Sequence, residues 1–147
     1  MFSIWFVLTF VHLVGLSIGV GAATVKLTLL IKSRVDHDFI PTYIKITRPI
    51  TRIIITGLVL LTLSGAAWII QGTTLTPLLI LKLFLVLVIW VLGPIIDNAI
   101  EPKYVKYAPV AGDQASQEFK NIQKKLLIFE TAATLDFYII ILLGILI

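Results

Sequence analysis

His12 stands inside the run HLVGLSIGVGA, residues 12–22, and no charged residue occurs between Met1 and Val25. An imidazole in that setting can ligate haem iron, relay a proton or hydrogen-bond a neighbouring helix. Three more ionisable groups sit in apolar runs: Lys82 in LLILKLFLVLVIW, and Glu130 and Asp136 in KKLLIFETAATLDFYIIILLGILI. Near a bilayer centre each such group costs roughly 2.5–3.5 kcal/mol on insertion scales, so each calls for pairing, protonation or a function. Lys82 needs an anionic partner if it faces inward. Asp136 is placed to supply one, since both approach the outer half of the bilayer while Glu130 lies deeper. The same charges can fix helix register or line a polar pathway.

Gly15 and Gly19 share the helical face of His12 with Trp5, Leu8, Ala22, Ala23 and Lys26. This GxxxG pair admits close approach of a neighbouring backbone or of a flat cofactor. As a ligand of haem b, His12 would leave the second axial position open. His37 lies in a loop and Met1 is the only methionine, so the sixth ligand would be water, Lys82, the His12 of a second copy across a homodimer, or nothing. The cluster Asp36, His37 and Asp38 reads as solvated loop and gives no metal site.

Elements that hold such residues in lipid must be helices. The chain is 59% hydrophobic and 14% charged with a mean hydropathy of +1.05, values of a membrane protein. Four apolar runs, about 3–31, 50–71, 77–97 and 122–147, each approach the ~20 residues a spanning helix needs. The uncharged connection QGTTLTP makes spans two and three a helical hairpin, with Gly72 closing one helix and Pro77 opening the next. Loops are expected at 32–49 and 98–121, the second broken by Pro102, Pro109 and Gly112, with Asp113 capping the last helix. On that helix Glu130 and Asp136 flank an arc holding Phe129, Ala133, Phe137, Ile140 and Gly144. The opposite arc, with Ile128, Leu135 and Leu142, suits lipid.

The expected fold is therefore an all-α, integral membrane four-helix bundle in a single domain. Eleven of the twelve Lys and Arg residues, Lys26 among them, flank the two loops, which puts those loops in the cytoplasm and both termini outside. Because these bases sit beside spans and alternate with acids, they point to the lipid bilayer as partner and not to nucleic acid. The absence of cysteine removes disulfides and iron–sulfur clusters.

These motifs resemble the superfamily of small bacterial membrane proteins that includes the HemJ-type protoporphyrinogen oxidases and the copper-resistance D (CopD-like) membrane domains. The likeness lies in HLVGLSIGVGA, in RPITRIIITGLVLLTLSGAAWI, in Lys82 and Leu83 at the head of the third span, and in Glu130 opening the last. The resemblance implies a four-helix scaffold in a bacterial or archaeal cytoplasmic membrane, with His12 as haem ligand or tetrapyrrole-site residue and Lys82 as a second functional residue. On this reading the protein takes part in electron transfer or tetrapyrrole handling, with Lys82 and Asp136 near a propionate or a proton path. Two other readings stand beside it. In one, His12, Lys82, Glu130 and Asp136 line the path of a transporter or channel component. In the other, Gly15 and Gly19 dock a non-catalytic subunit into a larger membrane complex.

Overall fold

A computed structural model describes residues 3–110 and 113–147. Met1 and Gly112, named above as a methionine donor and a loop breaker, lie outside the described residues. Helix α1 spans Ile4–Val35, α2 Ile40–Ile70, α3 Pro77–Ile95, α4 Glu101–Tyr107 and α5 Gln117–Leu146. A single 3₁₀ turn, His37–Phe39, joins α1 to α2, and a π-helical turn, Ile96–Ile100, joins α3 to α4. Among the described residues four helices, with α3 and α4 counted as one run, are long and apolar enough to cross a membrane. They carry large exposed apolar side chains such as Phe10, Phe84, Leu87 and Leu142, which suit a lipid surface.

Local chemistry accounts for the helix ends. The Ser3 and Thr76 hydroxyls accept from the N–H groups of Phe6 and Leu79, both at 3.2 Å. Gly72 adopts φ +95, the left-handed turn that closes α2, and Pro77 opens α3.

The two expected loops are shorter than the sequence suggests. Pro41 lies in the first turn of α2, where a missing N–H costs nothing, and Pro102 is taken into α4 directly after the π turn, so neither stops a helix. Pro49 is accommodated inside α2. The last helix is capped by Ser116, whose hydroxyl accepts from the Phe119 N–H at 3.1 Å, and not by Asp113.

The packing order is α2, α1, α5, α3. Helix α1 lies along α2, α5 touches both α1 and α3, and α2 scarcely meets α3 although a short hairpin joins them. The first contact is backbone on backbone: a Cβ on Gly57 of α2 would stand 2.5 Å from the Gly19 Cα and 2.7 Å from the Gly15 carbonyl oxygen. Two apolar cores result. One, near the α1–α2 connection, gathers Leu30, Tyr43, Ile100, Tyr104, Phe119 and Leu126; the other, farther along the bundle, gathers Val20, Leu58, Ile89, Phe137 and Ile140.

Candidate functional site

The buried stripe of α1 descends in steps of three and four through Gly15, Gly19, Ala23, Lys26, Leu30 and Ser33. A lysine on such a stripe must be met by anions. The Lys26 Nζ lies 2.5 Å from Glu101 Oε1, 2.7 Å from Glu130 Oε1 and 3.7 Å from Asp97 Oδ1. Each acid comes from a different local setting: Asp97 from the π turn, Glu101 from the start of α4, and Glu130 from the middle of α5. The Thr47 hydroxyl of α2 donates to Glu101 at 3.3 Å. Lys26 and Glu130 side chains are 3% and 5% exposed, whereas Asp97 keeps 25%. One ammonium among three carboxylates leaves two negative charges when all are ionised, an excess that calls for a proton or another cation.

The backbone beside the cluster is irregular. Pro94 lacks the N–H that would bond the Trp90 carbonyl, and Pro102 lacks the one for Asn98, so the wide π turn falls where the regular ladder is already interrupted. Such turns inside helices are frequent at functional sites. Beside the cluster, a cavity of about 320 Å³ lies between α2 and α3, whose backbones approach closely at few points. Lys26, Asp97 and Glu130 line one part of it, and Ile54, Leu58 and Ile89 are among the apolar side chains of its walls. Two polar links cross from α2: Thr47 to Glu101, and Thr62, whose hydroxyl accepts from the Trp90 Nε1–H at 3.1 Å. They stand about 22 Å apart along α2 at 1.5 Å per residue.

Of the residues singled out in the sequence, only Glu130 belongs to this cluster. Asp136 is buried on α5, and neither carboxylate oxygen has a hydrogen-bond partner. Lys82 does not pair with it. The Lys82 Nζ instead lies 3.0 Å from where a Cβ on Gly144 would stand, and Gly144 is eight residues beyond Asp136, about 12 Å along the helix. His12 is half-buried: its Nδ1 is 2.8 Å from the Ser64 hydroxyl, and its ring centroid is 4.8 Å from that of Trp68.

Gly15 and Gly19, expected to admit either a helix or a cofactor, admit the helix. A Cβ on Gly15 would already stand 2.9 Å from the Gly57 carbonyl oxygen, so no flat ring enters on that face. His37 lies in the turn at the far end of α1. Close packing of α1 on α2 thus leaves no room for a flat ring at Gly15, on the face that His12 shares.

Lys26, Asp97 and Glu101 were hidden from sequence reasoning. The charge pattern places Lys26 among the bases flanking the first loop, and its position on the His12 face is the signal that it turns inward. Asp97 and Glu101 fell at a boundary that the prolines made look like loop.

Fold and site together define an all-helical protein with four potential membrane spans and a buried lysine–carboxylate cluster beside a lateral cavity. No protein-family model, curated protein or solved structure matches the chain.

Proposed function

We propose that the protein is a membrane transport component that binds a cation at the carboxylate-rich floor of the α2–α3 cavity and passes it across the bilayer. The observation that carries this reading is Lys26 held at once by Glu101, Glu130 and Asp97 beside that cavity. Ionisable groups inside a helical bundle mark ion or proton pathways more often than they stabilise it, because a buried ion pair seldom offsets its own desolvation. Both termini lie outside and the α1–α2 and α4–α5 connections lie in the cytoplasm. Lys26 drops out of the charge count that gives this orientation, and ten of the remaining eleven bases still favour it.

The test is charge and proton movement in proteoliposomes, read as current on a supported membrane and by an internal pH dye, after jumps in protons, sodium or an alkylammonium salt. Wild-type protein gives a response, and Glu130→Gln reduces it by about tenfold or more, as expected for loss of a charge in the pathway. No response to any of the three cations overturns the reading. A haem-type absorption band that His12→Ala abolishes would replace it with the tetrapyrrole reading that the resemblance implies.

A further inference from the structure

We infer that the α2–α3 cavity takes a small amphipathic organic ammonium ion, entering sideways from the bilayer, with its charged head at Asp97 and its apolar body against α2 and α3. The inference rests on the reading of the cluster as a cation site and names the class of cation.

Two threonines give evidence independent of the acids. Thr24, Thr28, Thr56 and Thr62 each donate to the carbonyl four residues earlier in their own helix, the ordinary way a helical threonine satisfies its hydroxyl. Thr134 on α5 does not. Its residue is 4% exposed, its Oγ1 is buried without a hydrogen-bond partner, and it lines the cavity. Thr51 on α2 lines the same cavity and also has a buried hydroxyl without a partner. Buried hydroxyls left unpaired cost free energy, so two of them lining one cavity mark a place where a polar occupant belongs.

The chemistry of the walls selects that occupant. The excess of carboxylates attracts a cation and repels an anionic head. Asp97 is the acid with the longest contact to Lys26 and the greatest exposure, so it has capacity to accept from an incoming N–H. Hydroxyl oxygens accept from an ammonium as well. A bare metal ion would need several hard ligands closing around it, and among the described residues no group of three or more His, Asp or Glu is arranged to hold one. A volume of about 320 Å³ with largely aliphatic walls and the Trp90 indole instead suits an organic body, and an indole face favours a nearby cation. The inferred entrance is the seam between the Thr62 and Thr47 links, where few close backbone contacts join α2 to α3.

The probe is 2-(4-nitrophenyl)ethylamine, whose nitroaromatic ring quenches indole fluorescence, added to the full chain in detergent with Trp5→Phe and Trp68→Phe so that Trp90 is the sole reporter. The amine should quench saturably. Its uncharged analogue 2-(4-nitrophenyl)ethanol should bind about tenfold more weakly or worse, and Asp97→Asn should remove that preference. Equal binding of amine and alcohol, or no saturable quenching, overturns the inference without reliance on any Asp97 variant. Repeating the titration in nanodiscs with and without phosphatidylethanolamine separates the sources of the ammonium: protection only by that lipid means a headgroup occupies the site and overturns the free-amine assignment. Amine binding without flux in proteoliposomes upholds the inference and removes the transport reading; proton or sodium flux without amine binding does the reverse.

Discussion

Lys26 is gripped by carboxylates from two sides of the bundle, and that makes its removal unlike the removal of any one acid. Lys26→Met leaves Glu101 and Glu130 buried with no cation, and breaking a buried pair from one side costs roughly 3–5 kcal/mol. Glu130→Gln leaves Lys26 with Glu101 at 2.5 Å and should cost clearly less. Thermal unfolding in detergent checks the order, and Lys26→Met combined with Glu101→Gln and Glu130→Gln should recover much of what Lys26→Met alone loses. If the triple variant is no more stable than the single one, the cluster is not electrostatically coupled. His12 belongs to a different setting, a hydrogen bond to Ser64 and a ring contact with Trp68 that tie α1 to α2.

Among the elements, the α1–α2 contact depends on Gly15 and Gly57, whose positions leave no room for a methyl group. Gly57→Ala would press a Cβ against the Gly19 backbone and should destabilise the helix pair by about 1–3 kcal/mol, the usual range for overpacking. Gly65→Ala, with nothing within 4 Å of the added carbon, is the matched control on the same helix. Comparable loss of thermal stability in both variants would deny that close approach matters.

The core and lipid faces of α5 are legible in the sequence. Ile128, Leu135 and Leu142 are each 56% exposed, while Glu130, Phe137 and Ile140 of the facing arc are buried. What each face meets was not legible, because periodicity fixes direction around an axis and says nothing of the depth at which a second helix arrives. Lys82 was therefore matched to Asp136, an acid about 12 Å short of the Gly144 it reaches. Asp97 and Glu101 were missed for a related reason: proline marks an interruption of the hydrogen-bond ladder, and here the chain bridges that interruption with one wide turn and stays helical.

For the molecule as a whole, orientation in the membrane can be read directly because the chain has no cysteine to remove first. Thr73→Cys, in the α2–α3 connection, should react in intact cells with a maleimide that cannot cross membranes, and Asp113→Cys, between α4 and α5, should react only after the membrane is opened. The opposite pattern would reverse the proposed orientation and place the charge cluster nearer the outer face.

The packing order α2, α1, α5, α3 also governs how the protein can be made. In the membrane orientation proposed above, α1 carries Lys26 in ahead of all three acids, which lie later in the chain. Asp97 and Glu101 follow with the third span, Glu130 only with the last. Helix α3, moreover, waits for α5, because α2 offers it almost nothing to pack against. Without α5, α3 has few contacts with α1 or α2 and Lys26 lacks Glu130. The fold is therefore closed by α5, which alone touches both α1 and α3 and brings Glu130 to Lys26.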